Sequence, residues 1–127
     1  MPALVTTEAN RLLDASLGVA SYTAPTGSMK LALATSSSSA ATAGTEVTGG
    51  SYARQNIVFG SASAGSTSNT GAVTYTNMPT ATVTNVDVYD SNGTPRRAYF
   101  GPLTVSKSTV LGDTLSFAIS SITISLS

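Results

Sequence analysis

From residue 29 onward the apolar side chains of this chain fall at every second position in short runs, and each run ends at a cluster of glycine, proline, asparagine or serine. A period of two places successive side chains on opposite faces of a β-strand, so the pattern restricts the chain to a fold of short strands. In the first run Met29, Leu31 and Leu33 alternate with Lys30, Ala32 and Ala34, and further runs cover 52–59, 71–76, 82–89, 96–100, 103–106 and 114–126. Asn92-Gly93 stands between two runs and predicts a tight hairpin turn, because both central residues of a type I′ turn need positive φ. Gly112-Asp113 marks another turn before the last segment. In that segment Leu115, Phe117 and Ile119 are odd-numbered, whereas Ile122, Ile124 and Leu126 are even. The buried parity therefore slips at Ser120-Ser121, which requires a bulge there or a strand that changes sheets. The expected fold is mainly β: an antiparallel β-sandwich or small barrel, jelly-roll-like.

The chain before residue 29 has another period. Ala9, Leu12, Leu13 and Leu17 fall at i, i+3, i+4 and i+8, which predicts one short N-terminal helix over about 7–17 with an apolar stripe docked on the sheets. Thr6 or Thr7 is the expected cap, Glu8 complements the helix dipole and Gly18 supplies a left-handed exit. The stretch 35–50, TSSSSAATAGTEVTGG, has no period and reads as an exposed, mobile loop, the segment best suited to face a partner. At 127 residues the chain fits a single β-rich domain over 1–127 with one core.

Charged residues are only 9% of the sequence, so the polar faces must be hydroxyl, amide and backbone; the chain carries 20 Ser and 20 Thr. Six basic and six acidic residues cancel, which removes the attraction that drives proteins onto nucleic acid or anionic membranes. The start, Met1-Pro2-Ala3-Leu4-Val5, has no basic n-region, and no run approaches the roughly 18 apolar residues of a membrane span. Neither export by a signal peptide nor membrane insertion is expected. A neutral surface with few charges tends to associate, so the chain reads as a homo-oligomer living in an assembly.

Histidine and cysteine are both absent, and with them the commonest general base, the thiol nucleophile and the usual metal ligands; a non-enzyme without cofactors is expected. Asp87 and Asp90 are the carboxylates closest to a hydrolytic pair, but three apart on a strand they face opposite sides. Glu46 with Asp87, Asp90 or Asp113 could offer oxygens to a hard cation, without the ligand spacing of a calcium loop. Gly49-Gly50 lacks the lysine and spacing of a phosphate-binding loop and reads as a turn. Arg96 and Arg97 beside Tyr99 and Phe100 could stack bases, yet two arginines make no electrostatic footprint, and pairing with Asp87 or Asp90 across the hairpin is the simpler reading. Tyr52 and Arg54, two apart on one strand face, suit a packed tyrosine and a hydrogen-bonded arginine at a subunit contact. The candidate subunit-contact set is thus Tyr52, Arg54, Arg96, Arg97, Tyr99 and Phe100. Asn92-Gly93-Thr94 is formally a glycosylation sequon.

The order NRLLDASLG, SYTAP, LALATS, a Ser/Ala/Gly loop and GTEVTGGSYARQNIVFG, followed by NTGAVTYTNMPTATVTNVDVYDS and GPLTVSKSTVLGDTLSFAISSITISL, resembles a phage family over nearly the whole chain. It is similar to the small tail-fibre-like or minor tail proteins of tailed bacteriophages, many from phages of actinobacteria. SNGTPRRAYFG departs from the glycine-rich turn and apolar strand usual there. The resemblance implies a β-rich virion structural protein on the particle exterior, assembled in the host bacterial cytoplasm. It would be a homo-oligomer, with a trimer favoured, in contact with other virion proteins and with a host surface glycan or protein. A capsid decoration protein and, from another class, a carbohydrate depolymerase are the alternative readings.

Overall fold

A computed structural model describes residues 3–126; Met1, Pro2 and Ser127, the ends of the expected domain, lie outside them. The elements run β1 (Ala3–Leu4), α1 (Thr6–Ser16), β2 (Lys30–Ala34), β3 (Gln55–Asn56), β4 (Ser66–Ser68), β5 (Val73–Met78), β6 (Ala81–Tyr89), β7 (Arg97–Thr109), β8 (Asp113–Phe117) and β9 (Thr123–Ser125). Five strands form one antiparallel sheet in the spatial order β1-β7-β6-β2-β3, while β4 pairs with β9 and β5 with β8 as separate ribbons. The sheets stay open, and among the described residues no barrel closes. The fold is mainly β with one short helix, as the alternation predicts. Leu31, Leu33, Val86 and Val88 of the large sheet meet Val73, Tyr75 and Phe117 of the β5–β8 ribbon in one core. Tyr75 is its largest fully buried side chain; its hydroxyl donates to the Leu31 carbonyl at 2.7 Å, so the polar tip is satisfied across the two layers.

β2 lies between β6 and β3, and its second face is covered too: Leu31, Ala32, Leu33 and Ala34 are all buried. The cover comes in part from the loop expected to be free. Residues 35–50 are largely exposed but tied back: Thr35 N–H donates to the Thr45 carbonyl at 2.8 Å and Val47 N–H to that of Leu33 at 2.9 Å. Arg97 Nη2 also donates to the Ser39 carbonyl at 2.8 Å. Gly44 lets the loop sit this close, since a Cβ there would come within 2.5 Å of the Ser36 carbonyl oxygen and 2.9 Å of Ala34 Cβ.

The helix starts and stops nearly where expected, but its docking face is rotated away from Leu13 and Leu17 toward Glu8. Leu13 is 56% and Leu17 73% exposed, whereas Glu8 is buried at 1%. Ala9 and Leu12 of the expected stripe are half-buried beside Glu8, while Leu13 and Leu17 face solvent, so the docking face takes in only one edge of the stripe. Val5 is the N-cap and no side chain caps it, so neither Thr6 nor Thr7 has the predicted role. The chain enters the helix already anchored: β1 adds to the edge of β7, Val5 N–H donates to the Ala98 carbonyl and Thr6 N–H to that of Ala40, both at 3.0 Å. Gly18 makes the exit at φ +75°.

Several strand boundaries also move. The run 52–59 supplies only the two-residue β3, while 96–100 and 103–106 fuse into β7, whose register against β6 shifts between Val83↔Lys107 and Asn85↔Pro102. β1 and β4 are strands that the alternation did not mark, being too short to carry it. Asn92-Gly93 is not a two-residue turn: β6 ends at Tyr89, β7 begins at Arg97, and Gly93 has no left-handed φ. The Asp90 carboxylate organises that connection, accepting the amides of Arg96 at 2.8 Å, Thr26 at 3.1 Å and Asn92 at 3.2 Å. Gly112-Asp113 does make the turn into β8. At Ser120-Ser121 the chain changes sheets: β8 pairs with β5, β9 pairs with β4, and Ser120 takes φ +64° between them. Ile119 is left 62% exposed in that turn, against its odd-numbered parity.

Candidate functional site

The six residues singled out as contacts lie on and beside β3 and β7. The fold places five of them in three side-chain networks, each built around a carboxylate, with Tyr99 outside all three.

The first network fastens the helix. Glu8 in the first turn of α1 receives Arg96 Nε at 2.8 Å, Arg96 Nη2 at 2.5 Å, the Tyr22 hydroxyl at 2.5 Å and Arg11 Nη1 at 3.2 Å. Arg96 Nη1 also donates to the Thr23 carbonyl at 2.7 Å, which ties the 22–23 stretch to the same point. Burial pushes the Glu8 carboxyl up, but the hydrogen bonds from Arg96 and Tyr22 and the charges of Arg96 and Arg11 outweigh it and hold it below the usual range. Burial and the adjoining Glu8 carboxylate push the Tyr22 phenol up to about 12. Arg96 thus spends its side chain on Glu8 and its backbone amide on Asp90. The expected cross-hairpin partner meets only its main chain.

The second network is the predicted one for Arg97. Its Nη1 stands 2.9 Å from Asp87 Oδ1, and its guanidinium lies 5.7 Å from the Phe100 ring centre. Burial dominates at Asp87, and its carboxyl is pushed up despite the Arg97 charge and hydrogen bond. The third network joins Tyr52 and Arg54 through Glu46. The Tyr52 hydroxyl donates to Glu46 Oε2 at 2.8 Å, and Arg54 makes a two-toothed pair with the same carboxylate, both bonds at 2.9 Å. Arg54 also covers the Tyr89 ring at 3.7 Å. Tyr52 is a packing residue, stacked on Tyr75 at 5.9 Å between ring centres and accepting the Leu33 amide at 2.9 Å. Tyr99 and Phe100 are half-buried and already partnered by β1 through Leu4 and Ala3. Tyr99 also lines an apolar cleft of about 240 Å³ with Tyr22, Met29, Phe59 and Ile124.

The carboxylates weighed for chemistry are thereby separated. Asp87 belongs to Arg97, Glu46 to Arg54, Asp90 to three backbone amides, and Asp113 Oδ2 accepts the Val110 amide at 2.9 Å. Among the described residues no three acidic side chains converge as a cation site. Two residues that matter went unmarked in the sequence. Tyr22 has no periodic neighbour to flag it. Asn69 is buried at 1% and staples the sheet change: its Nδ2 donates to the carbonyls of Gly71 at 2.8 Å and Ala118 at 3.0 Å, and its Oδ1 accepts the Ile122 amide at 2.9 Å.

Fold and networks together define a small antiparallel β protein in which Glu8, Glu46 and Asp87 pair with arginines to fasten a helix and loops onto a hydroxyl-rich sheet structure. The family described as Podophage GP4 fiber I protein gp80 has a model that matches residues 3–125, and the chain belongs to that family of phage fibre proteins. No curated protein matches it.

Proposed function

We propose that this chain is a structural subunit of the virion exterior, tail-associated as a fibre component, without catalytic activity, and assembled as a homo-oligomer against other virion proteins. The observation that carries the reading is the extent of the family match: residues 3–125 include every strand of the large sheet, both ribbons and the helix, so the fold described above is itself the fibre-family domain. The separate pairing of Asp87, Asp90 and Glu46 supports the non-catalytic part, since a glycosidic mechanism needs two carboxylates flanking one cleft. Exposed apolar side chains at Leu13, Leu17 and Leu111, on a chain with few charges, support association. Contact with a host surface glycan or protein belongs to the same proposal.

Gold-labelled antibody against this chain, imaged on intact particles, tests the location. Label on the tail fibres is the expected result; label spread over the head identifies a capsid decoration protein instead. Light scattering of the purified chain at micromolar concentration tests the oligomer, and a species of monomer mass alone overturns that part. Host-cell binding no stronger than that of an unrelated β protein removes the host-contact part.

A further inference from the structure

The Asn92-Gly93 pair is not used by the fold as a turn, and its surroundings suit a different chemistry. Both residues are exposed, in the connection 90–96 between β6 and β7. Three amides around them are engaged: Asn92 and Arg96 donate to Asp90 Oδ1, and Thr94 N–H donates to the Asn92 side-chain carbonyl, Oδ1, at 3.1 Å. Among the described residues no acceptor stands opposite the Gly93 amide. A Cβ on Gly93 would meet nothing within 4 Å, so the approach to this nitrogen is open. The Thr94 bond draws electron density from the Asn92 Cγ carbonyl, and the neighbouring unshielded nitrogen is the next atom able to attack it.

We infer that Asn92 is a site of spontaneous deamidation in the folded protein, through a cyclic imide closed by the Gly93 nitrogen. The Gly93 amide proton passes to solvent base and its nitrogen bonds to Asn92 Cγ. The Cγ–Nδ2 bond then breaks, and Nδ2 leaves as ammonia with a proton from water. A second water molecule opens the ring at either carbonyl, giving aspartate or the isoaspartyl form, whose backbone is longer by one methylene. No atom is oxidised or reduced. Either product adds one negative charge to a chain whose formal net charge is zero, and places it beside Asp90, the carboxylate that holds the connection. The isoaspartyl form also lengthens the span between the Asp90 carboxylate and the Arg96 amide it accepts.

The other asparagines are internal controls. Asn69 and Asn85 are buried, and Asn10, Asn56 and Asn77 are followed by Arg11, Ile57 and Met78, whose side chains shield the attacking nitrogen. The purified full chain, held at 37 °C and mildly alkaline pH, is sampled by isoelectric focusing and peptide mass mapping, with a urea-unfolded sample in parallel. The expected result is an acidic band shifted by one charge, carrying the change at Asn92 alone, at a rate in the folded chain close to that in urea. Gly93→Ala, which the open space accommodates, is expected to lose most of this conversion while keeping the parent's unfolding midpoint. The inference is overturned if Asn92 stays an amide in the folded chain while the unfolded chain converts, or if Gly93→Ala converts as fast as the parent.

Discussion

Replacing Glu8 with alanine removes the acceptor on which Arg96, Tyr22 and Arg11 converge. Arg96, only 16% exposed at its side chain, keeps its bond to the Thr23 carbonyl but loses its counter-charge. Breaking a buried pair from one side costs about 3–5 kcal/mol, and the remaining partner places this case near ~3 kcal/mol. Arg11 adds little, because its side chain is 42% exposed and screened. Glu8→Gln keeps an acceptor without the charge and should lose about 1–2 kcal/mol. Urea unfolding reads the difference directly: for a urea slope of ~1.5 kcal/mol per molar, 3 kcal/mol moves the midpoint by about 2 M. Hydrogen exchange should show the helix amides opening first, since α1 is held by this network, the β1 edge and the Thr6–Ala40 bond, with little apolar burial of its own. Leu13→Ser and Leu17→Ser are the contrast, expected within about 0.5 kcal/mol of the parent because both side chains already face solvent. The pH dependence has a definite sign. The Glu8 carboxyl is held below its usual range in the fold, so its stabilisation is complete above the ordinary glutamate value of 4.5 and is lost as pH falls through the lower folded value. The Tyr22 phenol is raised from 10.0 to about 12, so its share is present below 10 and is lost as pH rises through about 12. A Glu8→Ala midpoint within about 1 kcal/mol of the parent, with helix protection unchanged, would refute docking by this ion pair.

Two further substitutions test the other networks. Asp87→Leu or Arg97→Met alone should each cost about 3–5 kcal/mol by stranding a buried charge, whereas the double variant should lie close to the parent, because the raised Asp87 carboxyl shows desolvation outweighing the pair; a double-mutant cycle in urea measures this. Asn69→Ala should cost about 3 kcal/mol by leaving the Gly71 carbonyl and the Ile122 amide unpaired at the sheet change, while Ser121 still satisfies the Ala118 carbonyl; it is read as a lowered thermal midpoint with loss of exchange protection in β9.

β2, β6 and β7 of the large sheet and the β5–β8 ribbon were legible because alternation is a local signal carried by five or more residues in each of them. β1, two residues long, is too short to display a period, and of the run 52–59 only the two residues of β3 find a ladder; both are strands only where a neighbouring edge accepts their hydrogen bonds. The Arg97–Asp87 pair was within reach, since the two face each other across one hairpin. Glu8–Arg96 was not, because its partners lie 88 residues apart with no repeat linking them.

By itself, then, the amino-acid sequence determined a mainly β chain with one leading helix and a parity break at Ser120-Ser121, each written in side-chain parity or turn chemistry over a few neighbouring residues; that the break is a change of sheet came from the strand pairing. Only the tertiary structure decided which face of that helix is buried. Helical periodicity marks the apolar stripe of Ala9, Leu12, Leu13 and Leu17, but Glu8, one turn from Leu12, finds Arg96 and Tyr22, and that charge-assisted cluster turns the buried face toward Ala9 and Leu12 and leaves Leu13 and Leu17 in solvent. Tertiary contacts likewise turned the 35–50 loop from a free surface into a cover, because Gly44, the Thr35 amide and Arg97 meet it only once the sheet exists.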